Sequence, residues 1–210
     1  MRIFVIISLR NFRQTLFFEI SQCNLIVAHD QHGRQVMKIP HCTGHERFFD
    51  DNDVIVSKTD LKGRLTYCNK LFLDIADYSE QQCLGQPHNM IRHPDMPRSI
   101  FKLLWDTIQI GKEVFAYVIN RAANGDHYWV YAHVTPSFGT NDTIVGYHSS
   151  RRVPDRGTLE STIIPFYRQL LDKEAEHHNR KQGVAASHDM IVDLLAQKNV
   201  QYDEFIATLA

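Results

Sequence analysis

The residues best suited to chemistry lie in a short segment just before Pro97, where an arginine, a histidine and an aspartate surround a proline. They are Arg92, His93 and Asp95. A guanidinium here is suited to bind a phosphate or a reduced, anionic ring, because it forms charge-assisted hydrogen bonds. The alternative is local: Arg92 pairs with Asp95, and Asp95 caps the helix expected to begin near Pro97.

A second set of residues offers flat apolar surfaces and side-chain amides. Phe101 and Trp105 are one turn apart on a predicted helix, so they either line one wall of a pocket or pack in the core. Asn120 closes an otherwise apolar strand face, where an amide can bind the polar edge of a ligand. Asn69 carries the same amide and is also suited to cap the helix that follows it.

Two further aromatic residues lie on strands, where the alternation of side chains decides what they can reach. Phe115 falls on the opposite face from Asn120, so both contact one ligand only if a bulge or a strand end intervenes. Trp129 shares a strand face with a tyrosine and two histidines. It either covers the ligand or packs against a helix, and both residues stay candidates for the same site.

These candidates are distributed over a regular series of elements, which places one domain at residues 46–153. Two short strands come first, and two short helices follow, the second with a capping-box pattern at Ser79 and Gln82. A longer amphipathic helix begins at Pro97 and ends at Gly111.

Three strands close the domain. Asn124 and Gly125 lie between two runs with strand character, and Asn-Gly is a strong signal for a tight hairpin. A turn at residues 139–142 leads into the last strand, residues 143–150. This order predicts an α+β fold: a five-stranded antiparallel sheet with helices on one side, followed by C-terminal helices.

The flanking residues differ in character from this domain. Residues 1–45 form an N-terminal extension of uncertain structure, with a hairpin or a loose arm at residues 29–45. Residues 154–210 form a C-terminal helical segment, in which Pro165 starts or kinks one helix and Ser187 caps the next, after Gly183. No run approaches the roughly 20 apolar residues of a membrane span, so no transmembrane segment is predicted.

Composition limits the possible functions. The 210 residues carry 23 basic and 24 acidic side chains, which gives no reason to expect a nucleic-acid or anionic-membrane partner. Four irregularly spaced cysteines without a C-x-x-C pair argue against a zinc ribbon and favour a reducing, cytoplasmic compartment. No P-loop, G-x-G-x-x-G or G-x-S-x-G motif is present, so no enzyme is predicted. The segment His41-Cys-Thr-Gly-His45 offers metal ligands but lacks a convincing second pair, so no metal site is predicted.

Two long motifs resemble those of one protein family. The segments Gly85-Gln-Pro-His-Asn-Met-Ile-Arg-His-Pro-Asp-Met-Pro97 and Asn124-Gly-Asp-His-Tyr-Trp-Val130 resemble segments of the FAD-binding PAS domains of bacterial aerotaxis receptors. So do Val134-Thr-Pro136 and Gly146-Tyr-His-Ser-Ser-Arg151, the latter like the closing strand of these domains. The resemblance covers residues 53–152, and two motifs in the correct order are more specific than one short pattern.

The resemblance implies a stand-alone, soluble sensory domain that binds FAD non-covalently and signals redox or oxygen state, as in aerotaxis and chemotaxis. The implied partner is a chemoreceptor, a kinase or a similar signalling protein, or a second copy of the chain. Three positions match those that the family needs for flavin binding: Arg92, His93 and Asp95. Four more match pocket positions: Asn69, Phe101, Trp105 and Asn120. Phe115 stands where the family usually has Trp, and Tyr117 lies near a usual Gly.

Two alternatives remain beside the flavin sensor. One is a PAS module without a cofactor, which acts by dimerising or by docking to another protein. The other is a haem-binding PAS domain with His93 as the axial ligand.

Overall fold

The computed structural model describes residues 27–29, 35–37 and 41–208, in a chain that divides into two units, residues 1–40 and 41–210. In the first unit, β1 (Val27–His29) and β2 (Gln35–Met37) pair antiparallel. The remaining residues of the predicted N-terminal extension up to position 40 lie outside the described residues. Residues 41–45 belong to the second unit, where the Thr43 N–H donates to the Gly125 carbonyl over 3.0 Å.

The second unit has the α+β fold that the sequence predicts. Its strands are β3 (Ile55–Thr59), β4 (Leu65–Cys68), β5 (Val114–Arg121), β6 (His127–Phe138) and β7 (Ile144–Arg152). Its helices are α1 (Lys70–Ala76), α2 (Glu80–Cys83), α3 (Arg98–Gln109), α4 (Arg156–Thr158), α5 (Ile164–Ala175), α6 (Arg180–Lys198) and α7 (Tyr202–Ala207). A 3-10 turn covers His88–Ile91, and a π-helical turn, Leu159–Ile163, precedes α5. The strands pair antiparallel in the order β4-β3-β7-β6-β5.

Local signals in the sequence account for the element boundaries. The Asn69 side chain accepts from the Phe72 N–H and caps α1, and the capping box predicted at Ser79 and Gln82 begins α2. Gly125 has a φ of 97°, which a residue with a side chain rarely adopts, and it turns the chain from β5 into β6. Within the described part of the chain, no helix is both long and apolar enough to span a bilayer.

The two faces of the sheet are covered by different helices. The inner face, which carries Asn120 and Ala132, lies against α3, while Trp129 points to the outer face. There its ring lies 6.2 Å from the ring of Tyr167 on α5. The Tyr167 hydroxyl also donates to the Tyr117 carbonyl of β5 over 2.6 Å. The C-terminal helices therefore bury part of the sheet that the remaining helices leave uncovered.

The prediction that Ser187 caps a helix is wrong. The helix α6 begins at Arg180, because the Asn179 side chain accepts from the Lys181 and Gln182 N–H groups. Ser187 lies in the middle of this helix, fully buried, with its hydroxyl 2.7 Å from that of Ser99.

Gly183 lies within α6 because α5 passes close to it. A β-carbon at this position would stand 2.4 Å from the Glu174 carbonyl oxygen. We expect Gly183→Ala to lower the free energy of unfolding by about 1–3 kcal/mol, although alanine favours helix formation, because the two helices must move apart. Urea unfolding measures the change.

Gly157→Ala is the matched control, since its added methyl group meets nothing closer than 3.4 Å. Equal stability of the two variants would contradict the close helix contact.

Candidate ligand site

A cavity of about 390 Å³ lies between the inner face of the sheet and α3. Its volume falls within the roughly 300–1,000 Å³ of small-molecule sites. The cavity exists because three neighbouring strands carry small side chains at this place, namely Ser57, Ala132 and Ser149. The opposite wall is apolar and partly aromatic, and is formed by Ile91, Phe101, Leu104, Trp105 and Ile108.

Three polar atoms of the cavity lining are buried without a hydrogen-bond partner among the residues that the structure describes. They are Asn120 Nδ2, Ser149 Oγ and Arg151 Nη1. Buried polar atoms in folded proteins are nearly always hydrogen-bonded to protein, water or a ligand, so these three atoms keep the capacity to bind a ligand. An amide, a hydroxyl and a guanidinium can thus form hydrogen bonds with the polar edge of a ligand.

Arg151 is the least expected of these side chains. It is only 4% exposed, and among the described residues it has no ion-pair partner. Its Nη2 donates to Ser57 Oγ over 2.9 Å and to His88 Nε2 over 2.6 Å. Burial lowers the pKa of Arg151 to about 10, so the side chain stays cationic at neutral pH. A buried cation without a counter-charge is destabilising, and an anionic ligand would relieve the cost.

His88 orients the side chain of Arg151 through a hydrogen bond. Since the guanidinium donates to Nε2, the imidazole ring must be neutral and carry its proton on Nδ1. Burial, followed by the charge of Arg151, lowers the pKa of His88 to about 3. The imidazole therefore acts as a fixed acceptor that orients the guanidinium toward the cavity.

The structure brings four of the predicted residues to the cavity: Arg92, Phe101, Trp105 and Asn120. Arg92 does not pair with Asp95; its Nη2 donates to the Met96 carbonyl over 2.9 Å, and its guanidinium lies 5.2 Å from the centre of the Phe101 ring. Trp105 packs edge-on against Tyr147 of β7, with ring centres 5.4 Å apart.

The loop residues next to Arg92 do not line the cavity. The His93 ring is buried 5.7 Å from the ring of His127, and its Nδ1 accepts from the Asp95 N–H over 3.1 Å. The Asp95 side chain points outward and is 74% exposed. Both residues shape the loop that presents Arg92.

Asn69 is also outside the cavity, and its amide makes three hydrogen bonds to the backbone. Its Oδ1 accepts from the Val56 and Phe72 N–H groups at 3.0 Å each, and its Nδ2 donates to the Val54 carbonyl.

Phe115 and Trp129 face the outer side of the sheet. No bulge interrupts β5, so Phe115 stays opposite to Asn120 and stacks on His133 with ring centres 4.2 Å apart. Trp129 packs against the helix α5 and does not cover the cavity, so of the two roles predicted for it the packing role is the one observed.

Sequence reasoning missed Ser57, His88, Ser149 and Arg151. His88 and Arg151 lie inside the motifs quoted above but had no role assigned to them. A signal was present: Tyr147, Ser149 and Arg151 alternate along one strand and share a face, but the predicted strand ended at residue 150.

Comparison with known proteins supports the PAS fold that the sequence predicts. Residues 65–151 match the family described as "PAS fold". The aerotaxis receptor of Escherichia coli K12 is 38% identical over 133 residues, which are 62% of this chain and 26% of the receptor. The nitrogen fixation regulatory protein of Klebsiella pneumoniae is 28% identical over 155 residues, which are 73% of this chain and 30% of that protein.

A solved PAS domain of a protein from Colwellia psychrerythraea is 24% identical, with a TM-score of 0.45; the match covers 48% of this chain and 86% of the other. The matches to the two curated relatives span less than a third of each relative's length.

Proposed function

We propose that this chain carries a sensory PAS domain similar to that of the aerotaxis receptor, and that its cavity binds FAD non-covalently through the flavin ring. The observation that carries the proposal is a set of buried polar atoms, on Asn120, Ser149 and Arg151, that have no hydrogen-bond partner within the described residues and lie opposite an apolar wall. A flavin ring has two flat faces and a polar edge of carbonyl and N–H groups, which matches such a lining.

The residues divide into two roles. The amide of Asn120 and the hydroxyl of Ser149 bind the polar edge and fix the orientation of the ring, while Phe101 and Trp105 cover its faces and exclude water. When bound, the flavin supplies reversible electron transfer. Arg151 provides fixed positive charge, which stabilises the negative charge that reduction adds to the ring.

We propose that this charge change is the signal. Arg151 connects β7 to β3 through Ser57 and to the 3-10 turn through His88. A change in the electrostatic force on its guanidinium alters these hydrogen bonds. The strands of the sheet then shift, and with them the outer face of the sheet. The output then passes to a signalling partner, such as a chemoreceptor or kinase, or to a second copy of the chain, and reports redox or oxygen state in aerotaxis-like signalling.

We propose a cytoplasmic location on the basis of the cysteines. The three described cysteines are free thiols, two of them buried, which fits a reducing compartment such as the cytoplasm.

The absorption spectrum after incubation with FAD and desalting tests the proposal. We expect the two flavin bands at about one flavin per chain. A sharp Soret band in the protein as purified would instead indicate haem, and a spectrum without either would indicate a cofactor-free interaction module.

Asn120→Ala tests the role of the amide. Because a buried hydrogen bond is lost and its flavin partner is left unpaired, we expect FAD affinity to fall roughly 5- to 100-fold. Quenching of flavin fluorescence measures the dissociation constant. Asn141→Ala, in an exposed turn, is the matched control and should bind like the wild type. Unchanged affinity in Asn120→Ala would remove the amide from the site.

A further inference from the structure

A second pocket, of about 300 Å³, lies where the start of α3, the end of α5 and the start of α6 meet. Its lining is strongly basic. The charged and titratable residues in it are Arg92, Arg98, Glu174, His177, His178 and Arg180. Three guanidinium groups thus share one pocket with a single carboxylate.

That carboxylate does not neutralise the pocket. Glu174 Oε1 accepts from the Ser99 N–H over 3.0 Å and so caps the first turn of α3. Among the described residues, none of the three arginines has an ion-pair partner. The pKa of Arg92 is lowered to about 10, first by burial and then by the charge of Arg98. Three guanidinium groups whose charge a single carboxylate, Glu174, compensates only in part favour an anionic ligand in a concave site.

Arg92 connects this pocket to the flavin cavity, because its side chain lines both. A ligand with a ring in the cavity and an anionic group a short distance away would contact the same arginine with both parts. One guanidinium group can donate two parallel hydrogen bonds to the oxygens of a phosphate. Two adjacent phosphates therefore need several guanidinium groups.

We infer that this pocket binds a pyrophosphate group, namely that of the dinucleotide whose flavin ring occupies the cavity. The inference rests on the proposed function and adds Arg98 and Arg180 to its binding residues. Arg180 belongs to α6, so the C-terminal helices take part in cofactor selection: the site distinguishes FAD from flavins that lack the pyrophosphate.

The test compares the affinities for FAD and riboflavin in the wild type, in Arg98→Ala and in Arg180→Ala. We expect the wild type to bind FAD at least about tenfold more tightly than riboflavin. Each variant should lose about 5- to 30-fold in FAD affinity, through the lost charge-assisted hydrogen bonds, with riboflavin affinity unchanged. Arg168→Ala, an exposed position on α5 outside the pocket, is the control.

Equal wild-type affinities for FAD and riboflavin, or variants that bind FAD like the wild type, would overturn the inference. ADP titration separates the two possible sources of the pyrophosphate. Binding of ADP to the riboflavin-loaded protein, but not to the FAD-loaded protein, supports the cofactor as the source. Arg180-dependent binding of ADP to the FAD-loaded protein would instead assign the pocket to a separate nucleotide and overturn the inference.

If the wild type binds none of these flavins, the proposed function fails. The Arg180 dependence of ADP binding then still decides whether the pocket recognises pyrophosphate: dependence supports that recognition, and its absence overturns it.

Discussion

Arg151→Met will weaken FAD binding by about 10- to 100-fold while leaving the unliganded domain at least as stable as the wild type. The two effects have opposite signs because the guanidinium is buried and has no counter-charge in the part of the chain that the structure describes. Removing a buried charge also removes its desolvation cost, and this gain offsets the lost hydrogen bonds to Ser57 and His88. Loss of a charge-assisted hydrogen bond to a ligand weakens binding by about 1.5–3 kcal/mol.

Two measurements on one variant separate these effects. Thermal unfolding of the flavin-free protein reports stability, and a fluorescence titration reports FAD affinity. Arg152→Met is the matched control, since the neighbouring Arg152 side chain is exposed and points away from the cavity. An Arg151→Met variant that binds FAD normally would show that the guanidinium serves the fold rather than the ligand.

Acidification will destabilise the wild type more steeply than His88→Gln. In the folded protein, burial and the charge of Arg151 lower the pKa of His88 to about 3, from its ordinary value of about 6.5. The unfolded chain therefore takes up a proton as the pH falls below 6.5, and the folded chain does not until about pH 3. The contribution of neutral His88 to the free energy of unfolding is fully present above pH 6.5. It decreases as the pH falls from 6.5 toward 3, by about 1.4 kcal/mol per pH unit for one proton.

Glutamine removes this proton uptake and keeps an oxygen that accepts from Arg151. Urea unfolding at pH 7, 6 and 5 gives the two slopes, and other titrating groups contribute to both proteins alike. The exposed His41, replaced by glutamine, serves as a control and should keep the wild-type slope. Parallel slopes for the wild type and His88→Gln would mean that the folded protein protonates His88 readily.

The sequence predicts the local elements well because their signals are local. The cap at Asn69, the capping box at Ser79 and the turn at Gly125 each depend on residues within a few positions. The helix α6 shows the limit of such reasoning. Gly183 resembles a helix end in the sequence, yet it lies inside the helix because the distant α5 requires a close approach there.

The candidate site shows the same division. Strand alternation alone places Asn120 and Phe115 on opposite faces, and the structure confirms it. Which face encloses the cavity depends on where α3 and the C-terminal helices pack, and these are long-range contacts. The pairing of His88 with Arg151 joins residues 63 positions apart, so no local pattern reveals it.

The most direct test of the account fills the cavity. Ala132 lies on its floor and is 2% exposed, so Ala132→Phe places a ring where we assign the flavin. In an equilibrium titration with FAD, we expect the wild type to saturate at one flavin per chain, and the folded variant to bind at least about 100-fold more weakly. If the folded variant binds FAD as tightly as the wild type, the flavin does not occupy this cavity and the central claim is wrong.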